Sequence, residues 1–140
     1  MSAFTRPELP AFEIAGRKIG PGYPPYVIAE ISCNFAYAKA GPWGEAGKDY
    51  NRCVELIKQA AAANCDAVKI QSYKADTITM KCDKPPFMIK GAKVELWNEQ
   101  SLYSLYEKNS MPWEWTEPLM KVAKEHGMVL FSSPFDETAV

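Results

Sequence analysis

Three short apolar runs, each followed by polar groups and separated by helix-length stretches, constrain this chain more than any other feature. Tyr26–Ile31 (YVIAEI) is apolar on both faces except at Glu30, and Ala67–Gln71 (AVKIQ) and Met128–Ser132 (MVLFS) are two more such short strands. A run apolar on both faces belongs to a strand covered on both sides, as parallel sheets are. Between the first two runs, Asp49 can cap a helix in which Tyr50, Val54, Ile57 and Ala61 recur at intervals of four, three and four, and Asn64 suits a left-handed terminus. Before the third run, Leu119, Val122 and Ala123 mark the face of a second helix that stops at Gly127. Pro118 fits only in that helix's first turn, so Thr116 is the expected N-cap, with a separate turn at Pro112–Trp115. Strand, helix, strand, helix, strand gives the α/β class with right-handed crossovers; the pattern alone leaves barrel and open sheet undecided.

The other segments are punctuation and elaboration. Phe12-Glu13-Ile14 and Arg17-Lys18-Ile19 alternate around Ala15-Gly16, which predicts a hairpin closing one end of the domain. Residues 37–47, with three glycines and a proline, form a loop leaving the first strand. Lys74 to Ser110, broken by Pro85-Pro86 and Gly91, reads as an elaborated loop with a helical patch at Leu102–Lys108. No repeat of 20 to 50 residues recurs.

Charge and length exclude several classes. With 16 Lys+Arg against 17 Asp+Glu and no basic block, the chain lacks the dense positive face that nucleic acid or an anionic membrane selects. Its apolar runs fall far short of the roughly 20 residues of a membrane span. The N-terminus carries Pro7, Glu8 and Pro10 in place of a basic start and an apolar stretch, so a cytoplasmic location is expected. Cys33, Cys53, Cys65 and Cys82 form no CxxC pair and the chain has one histidine, so no zinc site is expected and the thiols read as small buried hydrophobes. At 140 residues the chain has room for a core but not for a complete eight-stranded βα barrel.

In parallel α/β folds ligands sit at the carboxyl ends of the strands. The first run ends with Glu30, Ser32 and Asn34, the second carries Lys69 and Gln71, and the third gives Ser132 and Ser133 before Pro134. Alternation places Lys69 and Gln71 on one face of their strand and Val68 and Ile70 on the other. Glu30 and Lys69 admit two readings, a structural ion pair on adjacent strands or part of a site. Three strands converging on polar ends favour the site. The residue types suit an anionic, oxygen-rich substrate: Lys69 brings positive charge, Ser132 and Ser133 bring hydroxyl and backbone donors, and Glu30 can serve as acid or base.

Tyr26–Asn34 (YVIAEISCN), Asp66–Tyr73 (DAVKIQSY), Leu102–Tyr106 (LYSLY), Pro112–Trp115 (PWEW) and Phe131–Asp136 (FSSPFD) together resemble the N-terminal half of the sialic acid synthase family. Asp76–Gly91, Trp97 and the LYxLY element turn that resemblance toward the pseudaminic acid synthases. It spans about residues 12 to 140, and the set of spaced motifs is specific where one alone is weak. The resemblance implies the N-terminal part of a (β/α)8 TIM barrel preceded by a β-hairpin, with the rest of the barrel and an antifreeze-like C-terminal domain absent from residues 1–140. It also implies condensation of phosphoenolpyruvate with an open-chain acetamido sugar, 2,4-diacetamido-2,4,6-trideoxy-altrose in the pseudaminic branch. C3 of phosphoenolpyruvate attacks the sugar aldehyde, held by a divalent metal, manganese or else magnesium. Water adds at C2, phosphate leaves, and a nine-carbon 2-keto acid results.

Carried over by motif, Glu30 matches the active-site glutamate, Lys69, Ser133 and Ser132 the phosphoenolpyruvate-binding positions, and Gln71 and Asn34 the sugar-binding positions. The metal-binding histidines of the family lie later in the barrel, so no metal ligand is expected here, and the whole enzyme is expected to be a homodimer. Phe35 stands where the family has histidine, and the loop with Gly41-Pro42-Trp43-Gly44 is longer by about ten residues. His126, before Gly127 at a helix end, is read as structural. Trp97, Tyr103, Tyr106, Trp113 and Trp115 offer sugar stacking or core packing, with core packing favoured, and Lys81, Lys84, Lys90 and Lys93 read as a solvated set.

The competing expectations are an N-acetylneuraminate or legionaminic acid synthase, and a non-catalytic module. The chain stops one helix start after the third strand, at FSSPFDETAV, so truncation and inactivity of the piece alone are expected.

Overall fold

The computed structural model describes residues 9–32, 35, 48–91 and 98–140. Strands β1 (Phe12–Ile14) and β2 (Arg17–Ile19) pair antiparallel around Ala15-Gly16. Both loop residues have positive φ, 49° and 82°, the pair of left-handed conformations that matches a two-residue turn to the twist of its strands. Gly16 takes this at no steric cost, whereas Ala15 is a residue that rarely adopts it.

Strands β3 (Ile28–Ser32), β4 (Ala67–Ser72) and β7 (Val129–Pro134) form a parallel sheet in the order β3-β4-β7, with the helices α1 (Lys48–Ala62) and α4 (Thr116–Glu125) in the connections. The central strand β4 carries Val68 and Ile70, both fully buried, against Leu130 of β7, Ile57 of α1 and Leu119 and Ala123 of α4. Both helices pack on this one face of the sheet and on each other, and the opposite face, with Lys69 and Phe131, is left open. Neighbouring parallel strands in chain order, with helices on one side only, are the winding of a barrel rather than of a doubly wound sheet.

Several local expectations need correction. The first strand runs from Ile28 to Ser32, starting two residues later and ending one residue later than Tyr26–Ile31, and among the described residues it lies at the edge of the sheet. Asp49 does not cap α1 but lies buried in its first turn after Lys48, and the most deeply buried face is Cys53, Ile57 and Ala60, with Tyr50, Val54 and Ala61 flanking it. Thr116 is likewise the first residue of α4 and not its cap, because a 3₁₀ turn, Trp113–Trp115, runs straight into the helix.

The helix ends follow the sequence closely. Asn64, at φ 59°, closes α1 with Asn64 N–H donating to Ala61 O and Cys65 N–H to Ala60 O, a Schellman pair; Gly127, at φ 73°, closes α4 in the same way onto Lys124 O and Ala123 O. Each reversal drops the chain at once into the next strand.

The described residues between Lys74 and Ser110 are more ordered than a loop. They hold α2 (Ala75–Ile78), a 3₁₀ turn at Pro85–Phe87, the two-residue strands β5 (Met88–Ile89) and β6 (Gln100–Ser101), paired antiparallel, and α3 (Leu102–Asn109), capped by Ser101 Oγ accepting from Ser104 N–H. The two-residue strands are too short to give a periodic signal. The loop at 37–47 lies outside the described residues, as do Cys33, Lys93 and Trp97. Among the described residues Cys53, Cys65 and Cys82 are free thiols, and no helix is long and apolar enough to cross a membrane.

Candidate active site

Register alone brings the polar strand ends together. Glu30 is the partner of Lys69 across β3 and β4, and Gln71 is the partner of Ser133 across β4 and β7. Side chains at paired positions point the same way, so Glu30, Lys69, Gln71 and Ser133 share the open face, near the carboxyl ends of the strands. Lys69 Nζ lies 2.5 Å from Glu30 Oε2, and both side chains retain contact with solvent. An ion pair that is still hydrated holds little folding energy.

A bulge shapes the end of β3. The register slips between Glu30 and Ser32, so that Ser32 pairs with Ile70, and Ser32 takes φ 57°. Its Oγ donates to Gln71 Oε1 at 2.8 Å. Bulges turn a side chain away from the direction a regular pleat would give it.

Ser132 points its side chain the other way. It pairs with Ile70 on the helix side of the sheet, where its hydroxyl shares a 2.6 Å hydrogen bond with the hydroxyl of buried Ser72. Adjacent strand residues face opposite ways, so Ser132 and Ser133 cannot both present side chains to one ligand. The structure gives Ser133 to the open face and Ser132 to the core. Asn34 lies outside the described residues.

At the carboxyl rim, Asp136 accepts from Thr138 N–H at 2.8 Å and from the Thr138 hydroxyl, which holds its carboxyl below the usual carboxylate range, with Lys74 adding to the effect. Tyr103 donates to Asp76 at 2.8 Å, and losing that proton would break the bond beside a carboxylate, so the phenol is pushed up. The aromatic residues divide between core and rim: Tyr106 and Phe135 meet Tyr73 edge-on, Trp115 meets Tyr50 edge-on, and Trp113 lies under the Lys74 ammonium at 4.2 Å. Sequence reasoning missed this rim, because Lys74, Asp76, Tyr103 and Asp136 are brought together by the tertiary fold. His126 sits exposed at the C-cap of α4.

Two of the clefts among the described residues lie beside the sheet. One of about 490 Å³ lies between β3 and α1, lined by Ala29, Glu30, Ile31, Phe35 and Leu56 among others, and touches none of Lys69, Gln71 or Ser133. The other, about 370 Å³, lies beyond the end of β4 between Tyr73, Lys74 and Trp113. Convergence of the strand ends, and not cleft size, therefore locates the site. Among the described residues no three His, Cys, Asp or Glu side chains converge where a metal ion could be held.

At the other end of the sheet, Arg17 of the hairpin pairs with Asp66 and donates to Pro25 O at 2.9 Å, and Val27 N–H donates to Asp66 at 2.7 Å. The hairpin is thereby tied to the amino ends of the strands, opposite the polar cluster.

Barrel-type winding with a charged and hydrogen-bonding cluster at the strand carboxyl ends defines part of a TIM barrel, with a candidate site at the face where such folds bind ligands. Its particular kinship follows from comparison: the model of the NeuB family matches residues 56–140, and the chain belongs to that family. It is 37% identical over 110 residues to the pseudaminic acid synthase of Campylobacter jejuni, covering 79% of this chain and 28% of that protein. It is 32% identical over 117 residues to the pseudaminic acid synthase of Helicobacter pylori, covering 84% of this chain and 30% of that one. The chain thus spans less than a third of these relatives. The N-acetylneuraminic acid synthetase of Leptospira borgpetersenii, solved with citrate, shares the fold at a TM-score of 0.64 and 21% identity, over 93% of this chain and 36% of that one.

Proposed function

We propose that this chain is the N-terminal part of a pseudaminic acid synthase, which condenses phosphoenolpyruvate with 2,4-diacetamido-2,4,6-trideoxy-altrose and releases phosphate. The observation that carries the reading is the placement of Glu30, Lys69, Gln71 and Ser133 on one face, at paired positions of three parallel strands. Lys69 and Ser133 supply a positive charge and a hydroxyl for the carboxylate and phosphate of phosphoenolpyruvate. Gln71, one strand position pair beyond Lys69, engages the sugar, and Glu30 stands beside the lysine as the acid or base for the reacting carbons.

In this reading Ser132 supports the sheet from behind and takes no direct part through its side chain. The divalent metal, manganese or magnesium, polarises the sugar aldehyde when bound, on ligands outside the described residues. A homodimer and a cytoplasmic location complete the proposal.

The test is product identification with the complete gene product. It is given phosphoenolpyruvate and, separately, the altrose derivative, N-acetylmannosamine and the legionaminic acid precursor, and products are read by mass with phosphate release in parallel. A nine-carbon keto acid from the altrose derivative alone supports the proposal. A product from one of the other sugars alone transfers the chain to that branch, and no phosphate release with any sugar overturns it.

A further inference from the structure

We infer that Phe131 is a positioning residue for Lys69, an apolar wall that confines its ammonium to the Glu30 side of the open face; the inference rests on the synthase reading above. Lys69 lies in the middle strand, so it has a register partner on each side, Glu30 on β3 and Phe131 on β7. Partners in register point the same way, and the three side chains form one row across the face. The row is lopsided: Lys69 Nζ meets Glu30 Oε2 at 2.5 Å on one side, and on the other stands a phenyl ring, which brings no oxygen or nitrogen acceptor.

Packing among the described residues does not account for the ring. Phe131 is 38% exposed, and it belongs neither to the buried cluster nor to the side chains packed against it. Among the described residues Lys69 makes no cation–π contact, so the ring does not hold the ammonium either. Its effect is to deny Lys69 a second partner. Phe131 also lies two residues before Ser133 on the same face, which makes it the neighbour of both side chains assigned to phosphoenolpyruvate. A flexible lysine with an acceptor on each side divides its ammonium between two positions, and a ligand that needs one of them binds more weakly in proportion to the fraction lost.

Methionine and glutamine are alike in length and shape and only glutamine brings a strong acceptor, so the two substitutions separate the wall from the space it fills. In the complete synthase, Phe131→Gln is expected to raise KM for phosphoenolpyruvate about threefold to tenfold and leave the sugar KM unchanged, while Phe131→Met keeps both within about twofold of the wild type. Phe131→Tyr keeps the ring and adds a hydroxyl at its tip; its phosphoenolpyruvate KM is expected to rise in the same way, and it carries the test if Phe131→Gln does not fold. In a Lys69→Met background Phe131→Gln is expected to add nothing, because its effect passes through the ammonium. A wild-type enzyme that turns over while Phe131→Gln and Phe131→Tyr retain its phosphoenolpyruvate KM overturns this inference alone. So does an equal rise in Phe131→Met and Phe131→Gln, or a loss from Phe131→Gln that persists without the lysine. A wild-type enzyme that makes no keto acid overturns the synthase reading and this inference with it.

Discussion

The ion pair of Glu30 and Lys69 separates a structural bridge from a working one by the folding energy it holds. The pair sits at matched positions on β3 and β4, with the lysine side chain 31% exposed and the glutamate 42%. Pairs hydrated to this degree couple by about 0.2–1 kcal/mol, whereas removing one partner of a buried pair costs about 3–5 kcal/mol. Four versions of the chain decide between them: the unaltered one, Glu30→Gln, Lys69→Met and the double variant, each unfolded in urea with tryptophan fluorescence as the signal. The double-mutant cycle is expected to return a coupling below about 1 kcal/mol, and each single change to lower the unfolding free energy by less than about 1 kcal/mol. In the complete enzyme, Lys69→Met is expected to weaken phosphoenolpyruvate use by about tenfold to a hundredfold, the loss of one charge-assisted hydrogen bond. A coupling of about 3 kcal/mol or more, with phosphoenolpyruvate kinetics unchanged, would refute the reasoning and make the pair a structural strut.

The two serines at the end of β7 make a paired contrast: Ser133→Ala is expected to raise KM for phosphoenolpyruvate, while Ser132→Ala leaves it alone and lowers stability by about 0.5–1.5 kcal/mol through the lost bond to Ser72, as read by steady-state kinetics and urea midpoints. Leu119→Ala empties a fully buried position between α4 and the sheet and is expected to lose about 2–5 kcal/mol by the same unfolding measurement. Gly127→Ala meets no neighbouring atom, so only the left-handed strain counts, and its expected loss is about 1–2 kcal/mol. For Asp136, whose carboxyl is held low in the folded state, the stability it contributes is present above its unfolded value and is lost as pH falls through the folded one. The urea midpoints of the chain and of Asp136→Asn are therefore expected to differ near neutrality and to converge in acid; a gap independent of pH contradicts this.

The sequence by itself determined the alternation of strands and helices, the buried pair Leu119 and Ala123, the chain reversals at Asn64 and Gly127, and the sharing of one strand face by Lys69 and Gln71. Each is a local property, set by the period of a strand or helix or by the conformations one residue tolerates. Only the tertiary structure decided that both helices lie on one side of the sheet, that β3 carries a bulge, and that Ser133 rather than Ser132 joins Gln71. Those outcomes depend on register between strands 39 and 60 residues apart, as the Ser32–Gln71 and Ser72–Ser132 bonds measure it. A one-residue slip reverses every side chain, and no local pattern in the chain encodes which slip occurs.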